Sequence, residues 1–285
     1  MSATSERRAA FRKLHERGCF VMPNPWDVGS ARYLQSLGFP ALATTSSGFA
    51  FSRGLPDASA AVPRELVLAH LAEIVAAAEL PVNADFQAGY GASPEAVAAS
   101  VRLCVATGVA GLSIEDATGD ADRPLYELTE AVERVRAARS AIDAAGADVL
   151  LTARAECHLV GHPQPLPESI KRLRAYAEAG ADVLYAPGPR QSDTLREIVA
   201  AVAPKPVNVL VSADIGLRVS DVAALGVRRI SVGSGLARAA WTAFLGAARA
   251  LARGGDFSGF AGLVSFAELD GFFRDDLGRQ PARRS

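Results

Sequence analysis

Two periods alternate along this chain. Short apolar runs, several rich in β-branched residues, are followed by longer alanine-rich segments whose apolar positions recur every three to four residues, the contrast between a strand and an amphipathic helix. The runs CFVMPN (19–24), ALATTS (41–46), PVNADF (81–86), AGLSIED (110–116), DVLLTAR (148–154), DVLYAP (182–187), PVNVLV (206–211) and RRISVG (228–233) predict eight strands. Helices are predicted over 26–37, 63–78, 94–107, 129–145, 167–179, 192–203, 218–225 and 235–253. Some carry start signals, such as Ser93 before Pro94 and Thr129 before Glu130. Five end in a glycine that leads into the next strand: SLGFPAL, ATGVAGL, AAGADVL, EAGADVL and ALGVRRI. Glycine just past a helix supplies the left-handed turn that returns the chain toward a parallel strand. Eight β/α units with no linker or composition shift predict a single (β/α)8 TIM barrel over residues 1–285, with a doubly wound open sheet as the alternative.

Composition narrows the ligand. Nearly half the residues are hydrophobic (49%) and the formal net charge is −1, enough for a large core and too little positive charge to attract nucleic acid or a membrane surface. A small molecule is the expected partner. The first twenty residues, MSATSERRAAFRKLHERGCF, are polar and helical in pattern, and no later stretch is apolar for long enough to span a bilayer, so a cytoplasmic protein is expected. Cys19, Cys104 and Cys157 are too widely spaced for a disulfide framework or a zinc site. With Lys205 before its strand and Lys13 and Lys171 on helices, no lysine is expected in the mouth for Schiff-base chemistry.

In either fold the ligand sits at the carboxyl ends of the strands. Asn24 and Asp27 follow the first strand, Ser46, Ser47 and Gly48 the second, and Asp85 and Gln87 the third. Glu115 and Asp116 end the fourth, Arg154 and Glu156 the fifth; Asn208 lies within the seventh, and Gly233 and Ser234 close the eighth. Asp85 and Glu115 on neighbouring strands would repel each other in a partly dry mouth unless a cation sits between them, and oxygen ligands alone suit Mg²⁺ or Mn²⁺. The competing assignment for each acid is neutralisation by an arginine or capping of the next helix. Arg154 could be a salt-bridge residue, or it could fork onto a substrate carboxylate where an enolate develops, with Glu156 orienting it. The long segment TTSSGFAFSRGLPDASA (44–60) has the character of a lid, in which N–H groups near Ser47 and Gly48 could hold an anion and Asp57 could move in and out. SVGSGLAR (231–238) could bind phosphate or simply pack closely.

Taken together, PNPWDVGSARYLQSLGFPALATTSSGFAFSRGLPDA, PVNADFQAGYG, LSIEDATG, TARAECHL, YAEAGADVLYAPG, PVNVLV and RRISVGSGLARA resemble the isocitrate lyase/phosphoenolpyruvate mutase superfamily over nearly the whole chain. The resemblance implies a barrel whose last helix is exchanged between subunits, here a helical extension over about 235–276, in a homo-oligomer (dimer or tetramer). It implies Mg²⁺-dependent cleavage of a C–C or P–C bond in small 2-keto or 2-hydroxy carboxylic acids through an enolate. It assigns Asp85 as the direct metal ligand, Glu115 as a ligand acting through water and Arg154 as the carboxylate clamp. Ser46, Ser47 and Gly48, with Trp26 and Asp27 of the PNPWDVG segment, Gln87 and Asn208, fall to the substrate, and Asp57 to the gating loop. Three departures stand out. EDATGDADRPLYELTE lacks the cysteine-bearing KKCGH-like loop of isocitrate and methylisocitrate lyases; the lysine and asparagine patterns of the mutase branch are missing; and Gln87 stands where a second acid is frequent. These favour an oxaloacetate decarboxylase-like lyase, with phosphonopyruvate-type hydrolysis, cleavage of a substituted malate, or a non-catalytic ketoacid-binding protein as alternatives. Water or Tyr90 would protonate the enolate.

Overall fold

The structure, a computed structural model, describes residues 2–58 and 61–279. It divides by contact into two units, one ending at Leu236 and the other beginning at Ala237. In the first, β1 (Phe20–Met22), β2 (Leu42–Ala43), β3 (Val82–Asp85), β4 (Gly111–Glu115), β5 (Leu150–Arg154), β6 (Val183–Tyr185), β7 (Val207–Leu210) and β8 (Arg229–Ser231) form one parallel sheet. From β2 to β8 each strand pairs with the next in sequence, and β1 pairs with β8 through Val21 and Ile230. The remaining seam is bridged where the Ala43 N–H donates to the Pro23 carbonyl at 3.0 Å, so the eight strands make a nearly closed barrel.

All eight predicted strands are present, each trimmed to the residues that stay in the ladder. The helices α2 (Val28–Ser36), α4 (Arg64–Ala77), α5 (Pro94–Ala106), α6 (Leu128–Ala144), α7 (Pro165–Glu178), α8 (Ser192–Val202), α9 (Val219–Ala224) and α10 (Gly235–Gly254) match the predicted ones to within two residues at either end. Two features differ from expectation. The supposed lid segment contains a helix, α3 (Ser46–Ser52), started by the Thr45 hydroxyl accepting the Gly48 N–H, a signal masked by its glycine and serines. A further helix, α11 (Phe266–Arg279), lies in the second unit, not among the predicted helices but within the helical extension expected over about 235–276 save for its last three residues.

The glycine turns work as expected. Gly108 and Gly180 adopt φ of +92° and +100°, a region where side chains with a Cβ are strained. The amino-terminal helix α1 (Ala3–Leu14) plugs the amino end of the barrel, for its Phe11 is fully buried against Phe20, Ala110 and Leu150 at the strand starts. Gly111 makes room for that plug, since a Cβ there would lie 2.7 Å from the Phe11 ring. The main core fills the space between strands and outer helices, with Leu112, Leu151 and Leu184 facing helix residues such as Val101, Cys104 and Leu173. With one end plugged, the chemistry-bearing residues gather at the other. The second unit comprises the remainder of α10, a 3₁₀ turn at Ser258–Phe260, and α11.

Candidate active site

A polar cavity of about 300 Å³ opens at the carboxyl ends of the strands. It is lined by Ser46, Ser47, Asp57, Asp85, Gln87, Glu115, Arg154, Glu156 and Asn208 among the residues expected at the site. Gly48, Trp26 and Asp27 do not line it. Their places follow from local hydrogen bonding: Gly48 is buried in α3 with its N–H used by the Thr45 cap, and the Asp27 carboxylate caps α2 by accepting the Ser30 N–H at 2.7 Å, beside Trp26. The N–H groups of Val232 and Gly233 in the possible phosphate loop both donate to Asn24 Oδ1 at 2.9 Å, so they serve packing at the β1–β8 seam.

At the centre of the mouth is Arg154. Its Nη1 lies 3.0 Å from Asp85 Oδ1 and 3.1 Å from Glu115 Oε2, and its Nε donates to Glu156 Oε1 at 2.8 Å. The electrostatic reason for placing a cation between Asp85 and Glu115 is thus met in this structure by a guanidinium, because the two ladder partners Glu115 and Arg154 end side by side. The expected fork onto a substrate is correspondingly reduced: only Nη2 lacks a protein partner among the described residues. The Tyr185 ring backs the guanidinium, its centroid 5.0 Å from Cζ. Burial alone would lower this arginine's pKa, but Glu115, Glu156 and Asp85 outweigh it and hold the charge firmly.

The carboxylates outnumber the cation. Burial pushes Glu115 well above the usual carboxylate range, with Arg154 opposing, and Glu156 is raised for the same reason. Asp57 is raised by burial of its carboxylate and by the charge of Asp85, while Gln87 Nε2 donates to its Oδ1 at 3.1 Å. Asp85 is anchored on its far oxygen by the Ser46 N–H at 2.9 Å, and its own N–H donates to Thr44 Oγ1. Three carboxylates contact one guanidinium with Asp57 nearby, and the crowding that pushes Glu115, Glu156 and Asp57 upward is what a divalent cation would relieve. Among the described residues no three His, Cys, Asp or Glu side chains form a ligand set. Mg²⁺ takes one or two carboxylates and completes its shell with water and substrate oxygens, and Asp85 and Glu115 are donors of that kind.

Several residues support the site from outside the mouth, Asp116 among them, which was expected at the mouth, and Arg134, Arg172 and Tyr176, which escaped the sequence reading. Asp116 turns away from the mouth: its Oδ1 accepts the Glu156 N–H at 2.8 Å, and its Oδ2 accepts Arg172 Nη1 at 3.0 Å and the Tyr176 hydroxyl at 2.5 Å. Arg134 of α6 donates to the carbonyls of Ala88 and Gly91, both at 2.8 Å, bracing the turn after β3 in which Gln87 and Tyr90 adopt φ of 44° and 49°. The available signal was a charged or polar residue set in a buried helix stripe, as with Arg134 beside Val135 and Ala138, or Arg172 beside Leu173 and Tyr176. Tyr90 packs on Phe86 at 5.0 Å between ring centroids and lies beside Asp85 and Gln87 outside the main cavity.

Fold and site together define a barrel enzyme whose carboxylate-rich mouth opens at the strand ends. The chain belongs to the phosphoenolpyruvate phosphomutase family, whose model matches residues 11–252, and is an enzyme of the isocitrate lyase/phosphoenolpyruvate mutase superfamily. It is similar to a lyase/mutase candidate from Burkholderia cenocepacia, with 46% identity and a TM-score of 0.91 over 96% of this chain and 98% of that one. It is similar also to oxaloacetate acetylhydrolase solved with its product oxalate, at 27% identity and a TM-score of 0.82 over 96% of each chain. The oxaloacetate decarboxylase of Paraburkholderia xenovorans is 29% identical over 71% of this chain and 68% of its own. Lyases of this superfamily generally depend on a divalent metal, Mg²⁺. No helix among the described residues is long and apolar enough to cross a membrane.

Proposed function

We propose that the protein is a Mg²⁺-dependent lyase that cleaves a C–C bond of a small 2-keto or 2-hydroxy acid, with oxaloacetate decarboxylation as the preferred reaction. One observation carries this reading: the cavity that gathers Asp85, Glu115 and Arg154 is lined by no Cys, His or Lys among the described residues. Loss of CO₂ from the carboxylate of oxaloacetate that lies β to its keto group leaves the bonding pair as an enolate, which needs stabilisation but no removal of a hydroxyl proton, so it makes the least demand on protein acids and bases. Asp85, with Glu115 acting through water, would hold the cation. When bound it would supply Lewis-acid stabilisation of the developing enolate oxygen. Arg154 Nη2 and the hydroxyls of Ser46 and Ser47 would bind the ketoacid end, and Asp57, held by Gln87, would close one side against water. The oxaloacetate-directed relatives favour the same chemistry.

The test is purified protein with Mg²⁺ and a panel of oxaloacetate, 2-methylmalate-type acids and phosphonopyruvate, followed for pyruvate. Pyruvate from oxaloacetate that disappears with EDTA is the expected result. Turnover of phosphonopyruvate alone would replace the reading with P–C hydrolysis, and saturable ketoacid binding without any turnover would leave a binding protein.

We further propose a cytoplasmic homo-oligomer in which the second unit packs on another copy. Within that unit Phe244, Phe257, Leu263, Phe266 and Leu277 are 59, 65, 64, 85 and 67% exposed, more apolar surface than a lone helical segment keeps in water. Sedimentation should give a dimer or tetramer, and Phe266→Asp should shift it toward monomer; a monomeric wild-type protein would remove this proposal.

A further inference from the structure

Below the mouth, in the same cavity, lies a second arginine whose partners are all neutral. Arg229, at the start of β8, is 2% exposed. Its Nε donates to Asn208 Oδ1 at 2.8 Å, its Nη2 to Thr152 Oγ1 at 2.9 Å, and its Nη1 faces His15 Nε2 at 3.4 Å. No carboxylate approaches it within ion-pair distance among the described residues. His15 is a neutral acceptor here, because burial and the arginine itself press its pKa down to about 3 while its Nδ1 donates to the Phe11 carbonyl. A buried charge without a counter-ion costs several kcal/mol. Such a group calls for a role.

The hydrogen-bond directions supply one. Asn208 is 1% exposed and lines the cavity, and its amide has two ends that differ in chemistry. Arg229 is a pure donor, so only the oxygen end of the amide can accept from it. The nitrogen end therefore points the other way, where Nδ2 donates to Ser231 Oγ at 3.0 Å. Ser231 stands two residues after Arg229 on the same face of β8, about 7 Å nearer the mouth. The second Nδ2 hydrogen has no partner among the described residues. With an acceptor at position 229 the amide would turn over and offer its carbonyl to an anionic substrate.

We propose that Arg229 is a positioning residue that sets the orientation of the Asn208 amide, so that the cavity presents an N–H donor to the carboxylate or enolate oxygens of its substrate. Thr152 and His15 hold the guanidinium still while Nε–H does the orienting. The proposal rests on the ketoacid reading of the site given above, and two readouts separate the two.

The first is the affinity for oxalate, a dicarboxylate with the outline of a pyruvate enolate, measured calorimetrically with Mg²⁺ on the full chain. Arg229→Met and Asn208→Ala should each weaken binding roughly tenfold or more, the weight of a hydrogen bond to a charged group. Arg229→Met/Asn208→Ala should be no weaker than Asn208→Ala alone. Wild-type affinity in Arg229→Met, or losses that add, would overturn the proposal; Arg229→Lys, which keeps charge and a donor, should fall between and serves if the Met variant does not fold. The second readout is thermal and independent of ligand. Asn208→Asp should raise the melting temperature by a few degrees when Arg229 is present, and lower it in the Arg229→Met background, because the new carboxylate then has no cation. Failure of oxalate to bind the wild type with this thermal pattern intact would sink the ketoacid reading and leave the Arg229–Asn208 pairing standing; the same sign in both backgrounds would sink the pairing.

Discussion

Arg154 and Arg229 reach one cavity from two levels of the barrel and live in opposite electrostatic worlds. Arg154, at the carboxyl end of β5, touches three carboxylates and has its charge reinforced. Arg229, at the amino end of β8, touches an amide, a hydroxyl and an imidazole, and burial pushes its pKa down to about 9. The difference teaches how a parallel barrel separates labour. Its mouth collects charge where water and substrate enter, and the lower level holds polar groups that orient the mouth while a helix plug keeps the bulk solvent out.

The largest break in this picture should come from the mouth. Asp85→Ala removes the proposed direct metal ligand and one arm of the arginine cluster, and activity should fall by about 10³-fold or more, the scale for losing a group that stabilises developing charge. Isothermal titration should show Mg²⁺ binding lost as well; full activity in the variant would remove Asp85 from the site. Next, Arg154→Met leaves Asp85, Glu115 and Glu156 facing one another, and should cost about 3–5 kcal/mol of stability near neutral pH, as for a buried pair that loses one member. The loss should shrink in mildly acid buffer, where the crowded carboxyls take up protons. Arg229→Met should cost far less, because it strands no carboxylate. Equal losses in urea denaturation of the two variants would erase the contrast drawn between the levels.

Acid should expose the lower level and the helix layer. His15 and His70 are pressed from an ordinary 6.5 to about 3 and about 4, in both cases chiefly by burial. The unfolded chain therefore binds more protons than the folded one once pH drops below about 6.5, and stability falls as pH falls toward those lower values. Each histidine contributes a slope of at most about 1.4 kcal/mol per pH unit in that window. His15→Gln should flatten the stability curve between about pH 6.5 and 4.5; an unchanged slope would show that His15 is not held neutral. The smallest effect belongs to the support of Glu156: Tyr176→Phe removes one donor to Asp116, whose other partners remain, and should cost about 1 kcal/mol with little change in kcat.

Legibility along the chain followed the same division. The alternating periods located every strand, and the glycine turns located where five of the helices stop, because these signals are local. Much of the mouth was legible too, since the carboxyl ends of parallel barrel strands all open on one rim, though alternation along a strand turns a neighbour such as Asp116 away from it. Errors arose where a side chain had a nearer partner: Asp27 and Gly48 sit in the right loops but are consumed by the caps of α2 and α3. Arg134, Arg172 and Tyr176 were missed because they lie on helices, and which carbonyl or carboxylate they reach depends on how those helices lie against the sheet.

By itself the sequence determined eight alternating strand and helix units, which favour a barrel over a doubly wound sheet, and most of the acids and amides at the rim, for these follow from periodicity and from the direction of parallel strands. Only the tertiary structure decided which charge stands between which carboxylates, and which way the Asn208 amide points. Both depend on side chains from different strands meeting across the barrel: Glu115 beside Arg154, Asp85 over them, and Arg229 reaching from β8 to Thr152 on β5. Distances of about 3 Å between Asp85 and Arg154, 69 positions apart, and between Thr152 and Arg229, 77 apart, are set by barrel closure, and no local pattern encodes them.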